Sequence, residues 1–268
     1  MSSLIKTEWL KIKKYPIFWW MMGIVALSYP GINYLFHFIY KEQLGDDRMG
    51  PILQMINNPF AFPDVWQTVA YLSSVFIFIP SVMVIMFITN EYTYKTHRQN
   101  IIDGWSRNQF ITAKMTDVLI VSLLATLMYF IVALVIGFLN ESKPGVDIWS
   151  GIKYIPLFLL LTFSQLSIAF LIAFLSRKAF VALAIFLFYF IILENMIVGF
   201  SREYANDIGR FMPLEMSDRL IPIPRFLISN EEVWKQMVEE SNTHIIYTII
   251  LVVLTWALCF RINKSRDL

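Results

Sequence analysis

The sequence predicts an all-α integral membrane protein, a six-span helical bundle, and three observations carry that prediction. Of 268 residues, 57% are hydrophobic and only 16% are charged, where soluble domains carry roughly a quarter charged residues. The apolar residues fall in blocks of the length, about 20, that a helix needs to cross a hydrocarbon core. The charges between the blocks sort by sign: thirteen basic and five acidic residues fall on one side, a balance of +8, leaving nine basic and fifteen acidic on the other, or −6. Because Lys and Arg collect on cytoplasmic flanks, both termini are expected inside. The formal net charge of +2 gives no reason to expect a nucleic-acid partner.

The chain reads as one transmembrane domain over residues 1–268, with no internal repeat or low-complexity segment. Residues 1–16 come first, with Ile5, Trp9 and Ile12 at helical spacing and Lys6, Lys11, Lys13 and Lys14 largely elsewhere. That is the pattern of an amphipathic helix lying in the membrane surface; a plain basic tail that sets topology is the alternative. The apolar run behind Lys14 lacks a small-residue cleavage site, so the first span is expected to remain. Spans follow at Ile17–Phe38, Thr68–Thr89, Thr116–Leu139, Ile152–Leu175, Phe180–Phe200 and His244–Phe260. Pro80 removes a backbone bond in the second span and is expected to kink it. The lone cysteine, Cys259, has no internal partner and reads as packing.

Residues 90–115 form the most legible connection. Glu91 and Lys95 stand four apart in the order that favours a helical ion pair. Gly104 is the residue type that readily ends a helix in the left-handed conformation. Ser106 and Gln109 then make an S-x-x-Q capping box. The expected order is helix, break, helix, the second helix running into the third span. Such an element is either a well-capped connector or a rigid protrusion on which a motor subunit could push.

Polar residues inside the spans include Ser164, Gln165, Glu194 and Asn195. An ionisable residue in lipid is costly, which makes Glu194 a functional candidate. Ser164 and Gln165, with Thr162 and Ser167, serve equally as interhelical hydrogen bonds or as pathway lining. The segment 201–243, with Pro213, Pro222 and Pro224 among acids and apolar residues, is expected to form short helices at the outer membrane surface.

The run from Asn90 to Arg107 (Asn-Glu-Tyr-Thr-Tyr-Lys-Thr-His-Arg-Gln-Asn-Ile-Ile-Asp-Gly-Trp-Ser-Arg) and the opening Thr7-Glu8-Trp9-Leu10-Lys11-Ile12-Lys13-Lys14-Tyr15 resemble the permease subunits of type 2 ABC exporters. The resemblance implies an N-terminal interfacial elbow at Ser3 to Lys14 and a cytoplasmic coupling element near Glu91 to Arg107. Glu91, Tyr94, Arg98, Asp103, Gly104 and Arg107 would then face or position a nucleotide-binding ATPase subunit. It also implies a second permease copy or a related permease, short re-entrant or surface helices between spans five and six, and a place in the cytoplasmic membrane. ATP and Mg are expected in the partner, and no cofactor in this chain. The substrate is not legible.

No G-x-x-x-x-G-K-[ST] loop is present, and none of the ten glycines precedes a lysine, so ATP hydrolysis by this chain is not expected. His37, His97 and His244 are scattered, and one cysteine builds no thiolate cluster, so no metal site is expected. Two other classes remain open. One is a gradient-driven carrier or channel using Glu194. The other is a membrane hydrolase using Glu231, Glu232 and His244, although Ser229 and Glu232 read more simply as another capping box.

Overall fold

A proline at position 16 separates the first two helices: α1 (Ser2–Lys14) ends before it, and α2 (Pro16–Leu44) begins on it. Proline is suited to a first helical position because its ring presets φ and its missing N–H has no helical partner there. The computed structural model describes residues 2–45, 57–102, 104–140, 145–228 and 230–265. Beyond α2 lie α3 (Val65–Ser74), α4 (Phe78–Thr93), α5 (Thr96–Ile102) and α6 (Arg107–Leu139). They are followed by α7 (Tyr154–Ser176), α8 (Ala179–Phe188), α9 (Glu194–Tyr204), α10 (Pro213–Asp218) and α11 (Glu231–Ser265).

Among the described residues, five helical stretches are long and apolar enough to cross a membrane; read as one broken span, the bent pair α3–α4 brings the number to six. The bend of 48° lies just ahead of Pro80, where the proline ring would meet the carbonyl of Phe76. The chain answers with tighter i→i−3 bonds, Phe76 N–H to Ser73 O (3.1 Å), Ile77 N–H to Ser74 O (3.0 Å) and Ile79 N–H to Phe76 O (3.1 Å). The fifth span has a different irregularity. Between α8 and α9 one turn, Tyr189–Leu193, widens to π geometry, and the Asn195 side-chain amide donates to the carbonyls of Phe190 (3.0 Å) and Ile191 (3.1 Å).

The central helix is α7, packed on α4, α6 and α11. Tyr129 stacks on Phe158 with ring centroids 4.6 Å apart, and its hydroxyl donates to Trp66 O at 2.9 Å. Gly137 lets α6 approach so closely that a β-carbon there would lie 2.4 Å from the Phe62 ring. Cys259 is buried and free. Large apolar side chains such as Leu27, Leu139, Phe180 and Phe200 stay exposed on the bundle's outside, as expected where lipid is the solvent.

Residues 205–228 take the re-entrant arrangement, one of the two the resemblance implies, and not that of helices lying only on the surface. They enter the bundle. Leu214, Leu220 and Ile221 are buried. Asp218 accepts from the Gln165 amide at 2.7 Å. Gln165 lies eleven residues into α7, or about 16 Å at 1.5 Å per residue, roughly half the thickness of a hydrocarbon core. Glu194 fixes the inserted helix by accepting from the backbone N–H of Leu214 (2.8 Å) and Glu215 (2.6 Å) at the start of α10. The Gln67 amide donates to Pro222 O at 2.9 Å, and the Thr248 hydroxyl to Met216 O at 3.2 Å. A re-entrant backbone at that depth needs such partners, because lipid supplies none.

Candidate functional site

Among the described residues, α1, the 90–107 connection, Arg177 and the end of α11 lie at one end of the bundle. The Arg107 guanidinium donates to Lys264 O at 2.9 Å, while the Asn263 amide returns a bond to Arg107 O at 2.8 Å. Arg177 lies over the Tyr92 ring, 5.3 Å from its centroid. The Asn90 amide donates to the Tyr15 hydroxyl. Helix α1 and the close of α11 therefore belong to the same face.

At the centre of that face is a buried ion cluster. Lys114, fully buried in the first turns of α6, donates to Glu8, to Glu91 at 2.6 Å and to Asp117 at 3.2 Å. Lys11 adds bonds to Glu8 at 2.7 Å and Glu91 at 3.4 Å. A buried ammonium is tolerated only when carboxylates replace its water, and here they come from three separate segments. Phe87 and Phe110 flank the Lys114 ammonium. Burial alone would raise the Glu8 carboxyl, but Lys114, together with hydrogen bonds from Asp117, Lys11 and Lys114, lowers it to about 2.

The Glu91–Lys95 ion pair expected from spacing does not form. Lys95 takes the left-handed conformation, φ 56°, and separates α4 from α5, so the two side chains do not share one helical face and Glu91 turns inward to Lys114. The cluster itself escaped the sequence reading. Its one sequence trace is Lys114 and Asp117 three apart within an otherwise apolar stretch.

Over the cluster sits α5. Its C-terminal end is a Schellman motif: Gly104, at φ 98°, donates its N–H to Ile101 O at 3.0 Å, and Trp105 donates to Asn100 O at 3.0 Å. The capping box then starts α6, with Gln109 N–H bonded to Ser106 Oγ at 3.2 Å and Ser106 N–H to Gln109 Oε1 at 2.8 Å. On the underside Asn100 is buried within 3.5 Å of Lys11, and the His97 ring lies tilted against Tyr92 with centroids 4.6 Å apart. Outward stand Arg98, Gln99 and, three-quarters exposed, Tyr94 (75%) and Ile102 (77%). Of the six residues singled out here, Tyr94, Arg98 and Gly104 lie on the exposed side. Glu91 lies beneath, Arg107 ties α6 to α11, and Asp103 is outside the described residues.

In α1 the side chain of Ile5 is also outside the described residues. Trp9 is 37% exposed, whereas Ile12, at 2%, packs into the protein core instead of sharing a lipid-facing stripe with Trp9. Glu8 and Ile12, one turn apart, form the inward face, because Glu8 is drawn to Lys114. The remaining candidates are scattered over the other half of the bundle. Ser164 and Gln165 are buried in α7, Glu194 holds α10, and Asn195 lines an open cleft. Glu231, paired with Lys235 at 2.7 Å, stands thirteen residues from buried His244 on one helix, about 20 Å at helical rise, so they form no joint acid–base site. Ser229 is outside the described residues; Asn230 caps α11 in its place, accepting from Glu232 N–H at 2.9 Å.

A family model described as ABC-2 family transporter protein matches residues 4–193, which takes in α1, the ion cluster and α5. No curated protein matches the chain significantly.

Proposed function

Since the chain belongs to the ABC-2 transporter family, we propose that it is the permease subunit of an ATP-driven exporter, energised by a separate nucleotide-binding subunit. The observation that carries this reading is α5, a short helix bounded at both ends and presented at the end of the bundle that holds α1 and the close of α11. A motor can transmit force only through an element that does not yield. Here α5 rests on Asn100 and Lys11, and through Lys11 on the carboxylates that bind Lys114, so displacement of α5 would be felt by α1, α4 and α6 together. Tyr94, Arg98 and Ile102 supply an aromatic, a cationic and an apolar group for a docking partner.

The positive-inside rule orients this face toward the cytoplasm, so the protein sits in the cytoplasmic membrane with both termini inside and α1 at the membrane surface. The exposed apolar flanks leave room for a second permease copy, giving a homodimer or a pair of related permeases with the transport route between them. ATP and Mg belong to the partner. In the test, the chain is co-expressed with candidate ATPases carrying a phosphate-binding glycine loop and purified in detergent. A native complex with ATP turnover is expected, and Arg98→Glu combined with Ile102→Glu should abolish its assembly. Export that persists with cellular ATP depleted and a proton gradient intact would sink the proposal.

A further inference from the structure

Among the described residues, the end of the bundle opposite the ion cluster holds an open cleft. The cleft of about 660 Å³ lies between α3, the π turn of the fifth span, the re-entrant segment and the start of α11, a size usual for small-ligand sites. Part of its wall is apolar, with Val75, Phe190, Ile223, Val233 and Met237. The rest is charged, and unevenly so: Arg202 and Arg219 face Asp207, Glu215, Asp218 and Glu240, two cations against four carboxylates.

Both guanidiniums are already engaged. Arg219 binds Asp207 at 2.6 Å and Glu215 at 2.7 Å, and Arg202 binds Glu215 at 2.7 Å. Glu240 lies 3.8 Å from Arg219 and accepts from Gln236 at 2.9 Å. Asp218 is different. Its hydrogen bond is to the neutral Gln165 amide, and no ion pair forms on it among the described residues. A carboxylate facing an apolar-walled cleft, with the neighbouring cations taken, lacks a counter-ion that a ligand could bring.

We propose that this cleft binds a cationic amphiphile, whose ammonium or guanidinium group pairs with Asp218 while its apolar body lies against Phe190, Ile223 and Val233. An anion would meet the excess of carboxylates, and a neutral sugar would leave the apolar wall unmatched. As a statement about the transported substrate the proposal rests on the permease reading; the binding step does not.

Asp218 is exposed to the cleft. Its charged or titratable neighbours include Arg219 on its own segment, Arg202 from α9 and Tyr71 from α3, with His244 and Glu240 of α11 beside Arg219.

The full chain is tested in lipid nanodiscs without an ATPase, with tetraphenylphosphonium as the cation and tetraphenylborate as a matched anion, empty discs being subtracted. Saturable binding of the cation alone is expected, at least tenfold weaker in Asp218→Asn and retained in Asp218→Glu. Equal uptake of the anion, no saturable uptake, or native-like binding by Asp218→Asn would overturn the proposal. If a partner ATPase assembles and turns over while the cation does not bind, only the cleft proposal falls. If the cation binds and no ATPase assembles, the permease reading falls instead.

Discussion

Lys114 shows how one buried charge can organise three distant parts of a chain. Its ammonium cannot stay dehydrated without carboxylates, so Glu8, Glu91 and Asp117 converge on it. Removing one partner of a buried pair leaves the others uncompensated, at about 3–5 kcal/mol. Lys114→Met is therefore expected to lower unfolding stability by that amount, measured by thermal or denaturant unfolding in detergent. Lys95→Ala, at an exposed position, should change stability by less than about 0.5 kcal/mol. The Glu8 carboxyl is lowered below its ordinary value of 4.5, to about 2. Its contribution is thus complete above pH 4.5 and is lost as pH falls through about 2. A nitroxide replacing Trp9 should report an immobile α1 from pH 8 to pH 5 and a mobile one only under stronger acid; mobilisation near pH 6 would contradict this.

At the scale of the element, α5 is bounded by local chemistry. That is why it was legible. A glycine at φ 98° and a Ser–Gln box act within six residues, so their sequence order is enough to place them. Gly104→Ala, which forces a β-carbon into the left-handed region, is expected to cost about 1 kcal/mol or more. Ser106→Ala should cost about 1 kcal/mol. Both should reduce association with a partner ATPase in proportion to lost order in α5, read by amide hydrogen exchange over residues 96–110. Full association despite fast exchange there would argue against a rigid transmitting element. The bend of the second span was only partly legible. Pro80 announces it, but the turn of tighter bonds falls ahead of the proline, because the clash is with the preceding turn. The π turn at Tyr189–Leu193 has no sequence mark beyond Asn195, whose amide serves the displaced carbonyls.

Across the whole molecule, helix–helix distance is set by small residues as much as by large ones. Gly137→Ala would drive a methyl group into the Phe62 ring, and an overpacking penalty of about 1–3 kcal/mol is expected. The same unfolding assay checks it, with a neutral result meaning that Phe62 yields freely. The apolar spans were legible because crossing lipid imposes a length of apolar sequence that is local and countable. Partner choice among the charges is another matter. Glu91 had a cation four residues away and took one twenty-three residues away, because the chain turned left-handed at Lys95 and Lys114 had no water. Glu194, legible as a polar residue in a span, became the anchor for backbone N–H groups twenty residues on. By itself the sequence determined the solvent, an all-α bundle of apolar spans and the capped helix at residues 96–102. Only the tertiary structure decided which ions pair, how deep residues 205–228 insert and where an open acidic cleft remains, since burial and Coulomb attraction depend on distance in space and not along the chain.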